Sequence, residues 1–186
     1  MNQNYLESSI KQFQYYYDIG TKAINQLEEN KLIHNISSES NSIGTIVKHM
    51  SGNMISRWTN FLTEDGEKEW RKRDEEFEND LNSKDKIIES WEKGWDCLFN
   101  TLNSLSADDL EKIIYIRNQG HTVVEAINRQ LCHYSYHVGQ IVFGAKEIQN
   151  ENWHALSIAK GQSKEYNSKK FSQEKSRKHF LDGDLT

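Results

Sequence analysis

Gln119 to Glu147, QGHTVVEAINRQLCHYSYHVGQIVFGAKE, decides how this chain is read. Val123, Val124, Ile127, Leu131, Tyr134, Val138, Ile141, Val142, Ala145 and Ile148 recur at three- and four-residue intervals, the mark of a helix that buries one stripe. Thr122 is an N-cap candidate, and Glu125 three residues later completes a capping box. Within this helix stand His133 and His137. Positions four apart lie one turn above each other on one face, at about 100° per residue. Two neutral imidazoles aimed the same way can hold a divalent metal. Both lie on a flank of the buried stripe, with Ala126, Gln130 and Gly144, a mixture suited to face another helix across a polar pocket.

Working outward, three more amphipathic segments precede this one. The first runs from Tyr5 to about Asn30 on Ile10, Phe13, Tyr17, Ile24 and Leu27. The second starts after Ser40 or Asn41 as N-cap, carries Ile43, Ile46, Val47, Met50, Met54, Trp58 and Phe61, and closes at Glu64-Asp65-Gly66. The third begins at Ser83 and buries Ile87, Trp91, Trp95, Leu98 and Leu102, ending near Ser106. Trp91, Trp95 and Phe99 at helical spacing are core residues rather than an aromatic binding platform. Between the second and third helices, Glu67 to Asp80 is dense in both charges and reads as a solvated connection. Ile113 to Ile116 is β-branched and aromatic and reads as a brief extended segment.

Four amphipathic helices give an all-α fold, a four-helix bundle, with the extended segment before the fourth helix and a polar C-terminal extension. The connections are long enough for a non-sequential helix order. At 186 residues the chain suits one domain. Residues 1–171 are read as that domain, and residues 172–186, mostly polar, as a flexible tail.

Composition excludes several classes of partner. The net charge is -5 and no Lys/Arg cluster is free of interleaved acids, so no nucleic-acid footprint is present. The absence of a leader-like segment and of an apolar run of about 18 residues points to no membrane partner and to a cytoplasmic protein. Cys97 and Cys132 fall in helices and form no CxxC pair, as expected of free thiols in a reducing compartment, with Cys132 assigned to packing.

Among seven histidines, His34, His154 and His179 lie in polar segments and read as surface residues. His121 precedes the last helix and either borders a pocket or covers the helix end. His49 lies on a flank of the second helix beside Ile46 and Asn53. One imidazole from there and two from the fourth helix would make three nitrogen ligands with open positions, the pattern of catalytic zinc. Imidazole equally suits nickel, copper or iron. Gln130, Asn53 and His121 are candidate pocket donors. On spacing alone, His133 and His137 could equally be helix-face residues hydrogen-bonded to their neighbours.

Three stretches carry a family resemblance: ESNSIGTIVKHMSGNMISRW (Glu39 to Trp58), RNQGHTVVEAINRQLCHYSYHVGQIV (Arg117 to Val142) and WHALSIAKGQSKEYN (Trp153 to Asn167). The chain resembles the DinB/YfiT-like superfamily of metal-binding helical bundles, in particular an uncharacterised branch found in bacilli, over residues 5 to 171. The resemblance implies a bundle of non-sequential helix order, commonly a homodimer, with a divalent cation, zinc or nickel foremost, on His49, His133 and His137. It also implies a small-molecule substrate and a low-molecular-weight thiol of the bacillithiol type, as for a metal-dependent thiol S-transferase. A non-enzymatic metal-binding or stress-related protein, and a metal-dependent hydrolase, are the alternatives.

Overall fold

The computed structural model describes residues 2–182. Residues 183–186 of the expected C-terminal tail lie outside the described residues. Helix α1 spans Asn2–Asn25, and a single turn, α2, follows at Glu29–Leu32. Helix α3 is Ile43–Trp58 and α4 is Lys84–Ser104. Strands β1 (Ile113–Ile116) and β2 (Gln119–Thr122) precede α5 (Val123–Gln149), and α6 covers Ser163–Phe171. The fold is therefore predominantly helical with one two-stranded sheet among the described residues.

The helix starts follow from capping chemistry. Ser42 accepts from the backbone N–H of Thr45 and begins α3, one to two residues after the expected cap. Ser83 does the same for α4 through Lys86 N–H. At α5, Thr122 Oγ1 accepts from Glu125 N–H at 3.1 Å while the Glu125 carboxylate accepts from Thr122 N–H at 2.7 Å. Helix α3 ends at Trp58, short of Phe61, and α1 stops at Asn25 with Leu27 and Leu32 buried in the turn beyond.

Helix α3 packs against α4 and α5, and α1 against α5 and α4, so the long helices are neighbours in the order α1, α5, α3, α4. Two glycines permit the close approaches. A Cβ on Gly94 would lie 2.8 Å from Ser51 Cα, so α4 and α3 meet there backbone to backbone. At Gly20 the missing side chain is replaced by the Trp91 ring, 2.5 Å from where a Cβ would stand. Phe13, Trp58, Trp95 and Tyr134, one from each long helix, are all 1% exposed or less and meet at the centre. Ring centroids of 5.9 to 6.4 Å place these rings largely edge to face. Two of the polar tips are satisfied in series: Trp58 Nε1–H donates to Tyr134 Oη at 3.1 Å, and Tyr134 O–H donates to Asn53 Oδ1 at 3.0 Å, whereas the buried Trp95 Nε1 has no partner among the described residues.

Three regions carry contacts that the sequence reading did not include. The extended segment at Ile113 has a partner, β2, joined through Arg117 and Asn118 at φ 56° and 60°. Asp65 accepts from both turn N–H groups at 2.8 Å. Strand β2, QGHT, has no apolar alternation, so no periodicity marks it. The charged run after Gly66 is not simply solvated: it folds over α3 and buries Lys68, Glu76 and the Arg71 side chain. Near the C-terminus, His179 hydrogen-bonds Ser8 at 2.9 Å, and Asp182 pairs with Lys11, both on α1.

Candidate metal centre

His49 is placed by the second turn of α3, and His133 and His137 by successive turns of α5, which packs directly on α3. The ring centroids of His49 lie 5.7 Å from those of His133 and 5.0 Å from those of His137, and the latter two are 4.7 Å apart. One nitrogen from each ring falls within 4.8 Å of the other two. His49 is buried, and its two partners are half-buried.

The hydrogen bonds on the outer nitrogens decide what the inner ones can do. His49 Nδ1 contacts Glu76 Oε2 at 3.0 Å, His133 Nδ1 contacts Gln130 Oε1 at 3.2 Å, and His137 Nδ1 contacts Gln140 Oε1 at 2.8 Å. The Glu76 carboxylate only accepts, so His49 Nδ1 carries the proton; with the amide oxygens of Gln130 and Gln140 turned toward the rings, His133 and His137 carry theirs on Nδ1 too, and each Nε2 is left as a lone pair. His133 Nε2 and His137 Nε2 then face each other at 3.1 Å. Two lone pairs at that distance repel unless a cation lies between them. Ligands about 2.0 to 2.1 Å from one ion, at tetrahedral or octahedral angles, stand about 2.9 to 3.4 Å apart, and the pair fits that span. Across all three rings the nitrogens lie within 4.8 Å of one another, a looser spacing than that span. The donor set, three neutral imidazoles with anchored outer nitrogens, fits a borderline divalent ion.

The electrostatics favour the neutral form of the two α5 rings. Burial, then the charges of His137 and His49, push the His133 pKa from 6.5 down to about 3. Burial lowers His137 as well, partly opposed by its bond to Gln140. Burial would raise the Glu76 carboxyl, but its bonds to His49 and Arg71 outweigh this and hold it below the usual range. Arg71 reaches both oxygens of Glu76, Nε at 2.7 Å and Nη2 at 2.9 Å, a two-pronged grip that fixes the carboxylate against His49. Room for that carboxylate comes from Gly52, where a Cβ would sit 2.3 Å from Glu76 Oε1.

Of the candidates read from the sequence, His49, His133 and His137 converge, and Gln130 stands behind His133 rather than at the centre. Asn53 is buried and accepts from Tyr134. His121 lies on β2 opposite Ile114, outside the cluster. Cys132 is exposed, not packed, because the face of α5 about 100° from His133 looks away from the neighbouring helices. Glu76, Arg71 and Gln140 escape a reading by motif. Glu76 and Arg71 sit in a charged connection, and Gln140 has no partner that spacing reveals except its place three residues after His137. The centre is rimmed by Phe77, stacked on His49 at 5.0 Å, and by Tyr136, 5.0 Å from His137. No helix among the described residues is long and apolar enough to cross a membrane.

A family model described as "Protein of unknown function (DUF1572)" matches residues 1–162. No curated protein and no solved structure matches the chain.

Proposed function

The chain belongs to the DUF1572 family of proteins of unknown function, and from the centre it carries we propose that it is a divalent-metal-binding protein with His49, His133 and His137 as ligands. The observation that carries this reading is the opposed Nε2 pair at 3.1 Å, with every outer nitrogen already committed to an oxygen acceptor. The ion proposed is zinc or nickel, both borderline divalent cations that imidazole suits. The cyclic neighbour order of the long helices and this donor set support placing the chain in the DinB/YfiT-like superfamily as a four-helix bundle.

The chemical reading is a thiol S-transferase acting on a small electrophile. A divalent ion held by three protein nitrogens would supply open positions and favour the thiolate form of a thiol at neutral pH. The residues' own part is to hold and orient. Glu76, Gln130 and Gln140 fix the imidazole tautomers, and Arg71 locks Glu76. The thiol would be exogenous, as bacillithiol is, since Cys97 is engaged with Thr59 and neither cysteine is in the histidine cluster. Hydrolysis is less well supported. Glu76 is committed to Arg71 and His49, and Glu125 to Thr122, which leaves neither carboxylate as a general base.

The test is elemental analysis of the purified protein beside the His49/His133/His137→Ala triple variant, followed by thiol conjugation with metal-loaded and metal-free protein. Stoichiometric metal in the wild type alone is the expected result, and equal metal content in both would refute the centre. Metal-dependent stability without turnover over a panel of thiols and electrophiles would leave a non-enzymatic metal protein.

A further inference from the structure

One turn along α3 and α5 from the histidines lies a cleft of about 310 Å³. Ile46 comes three residues before His49 and Gln140 three after His137, and both line it, with Ile36, Ile43, Phe143 and Gly144 as its apolar part and His34, Glu39, Ser40 and Asn41 as its polar part. Gln140 is thus shared: its Oε1 holds His137 Nδ1, and its flank forms the near end of the cleft. Ile43 and Ile46 are buried in the floor, whereas Ile36 is 49% and Phe143 65% exposed on the walls.

At Gly144 the cleft has no side chain. A Cβ there would meet Ile36 Cδ1 at 3.4 Å and Ile43 Cγ1 at 3.8 Å, ordinary contact distances, so a methyl group would fit and anything longer would take up space in the cleft. Ile148 and Ile36 continue the surface into an adjoining hollow of about 360 Å³. From Gln140 to Ile148 the helix advances about 12 Å, room for a chain of several methylenes. Apolar walls left wet beside a polar centre are what a ligand with a polar head and an apolar body would cover.

We propose that this cleft is the tail subsite for such a ligand: an amphiphilic small molecule whose head engages the three-histidine centre and whose uncharged, extended apolar body lies between α3 and α5 along Ile46, Phe143 and Gly144. The proposal rests on the metal-centre reading above. It adds a substrate class, a moderately long aliphatic or flat apolar compound in place of a fully polar one. The bare backbone at Gly144 sets the depth of the cleft, and Phe143 forms a wall.

Straight-chain hydroxamates from acetohydroxamate to octanohydroxamate test this, titrated calorimetrically into the zinc-loaded full chain. The shortest member reads the head site, and the dependence on chain length reads the cleft. Affinity is expected to rise about two- to fourfold per added methylene, the lower figure for an open groove that covers only part of each group. In Gly144→Met, whose side chain occupies the floor, and in Phe143→Ser, which removes a wall, the rise per methylene should largely vanish. Each protein's own acetohydroxamate affinity serves as its reference. A flat series in the wild type with acetohydroxamate bound would overturn the cleft and leave the metal centre standing. Equal slopes in all three proteins would also overturn it. Failure of every hydroxamate to show zinc-dependent binding would remove the metal reading, and this one with it.

Discussion

Replacing Glu76 by Gln isolates the charge behind His49 from the shape of its side chain. Both carboxylate oxygens are occupied: Oε1 by Arg71 Nε, and Oε2 by Arg71 Nη2 and His49 Nδ1. Histidine and carboxylate side chains are each 8% exposed, so water cannot substitute. Whichever way the amide of Gln is turned, its NH2 meets a donor that now lacks an acceptor. A buried donor left unpaired costs about 1–3 kcal/mol of stability. The imidazole also loses the carboxylate that fixes its tautomer and orientation, an outer contact whose removal weakens metal binding about 10- to 100-fold, or about 1.4–2.7 kcal/mol. Gly52→Ala is the steric counterpart. Its Cβ would stand 2.3 Å from Glu76 Oε1 and 2.8 Å from Cδ, so the carboxylate must leave His49 although no charge is altered. An alanine inside a helix ordinarily stabilises by about 0.5–1 kcal/mol, so weaker zinc binding in this variant points to the lost contact. The assay is competition for zinc against a chromogenic chelator, with thermal melts of the metal-free proteins alongside. Wild-type zinc affinity in a folded Glu76→Gln variant would refute the role assigned to Glu76. A loss beyond about a thousandfold would refute it too, since the carboxylate would then be a ligand in its own right.

The metal-free protein should lose stability on acidification. The folded-state pKa of His133, about 3, lies below its unfolded value of 6.5, so the unfolded chain binds the extra proton. Its contribution is complete above pH 6.5 and declines as pH falls toward 3; urea midpoints at pH 7.5 and pH 5 should show this drop, and His133→Asn should show less of it. An equal drop in both proteins would rule out His133 as its source. Tyr134→Phe leaves Trp58 Nε1 without its acceptor and Asn53 Oδ1 without its donor, and chemical denaturation should register a loss of about 1–3 kcal/mol. Gly94→Ala pushes a methyl group to 2.8 Å from the Ser51 backbone, so a loss of about 1–3 kcal/mol is expected despite the better helix former. A more stable Gly94→Ala protein would show that α3 and α4 are not in contact there.

How much of this was legible beforehand differs from one residue to the next. His133 and His137 share a face because four residues make about one helical turn, and that holds for the isolated segment. The α5 cap at Thr122 and the α4 cap at Ser83 are likewise local, and both stand where their side chains imply. The end of α3 is less local: Trp58, whose ring meets Phe13 of α1 and Tyr134 of α5 and whose carbonyl accepts from Thr101 of α4, closes the helix, and Phe61 is buried after the chain has turned. Glu76 was invisible because its meaning is a contact with a residue 27 positions away. In a run as charged as Glu67 to Asp80, no pattern distinguishes the one carboxylate that is buried from those left in water.

The sequence alone determined the long helices, their buried stripes and the two-histidine face, since each depends on backbone geometry repeating over neighbouring residues. Only the tertiary structure decided that His49 meets that face, that Glu76 and Arg71 stand behind it, and that a cleft opens at Gly144. Those depend on which surfaces pack together, and the close approaches at Gly52 and Gly94 that bring them into register exist only once separate segments share one core.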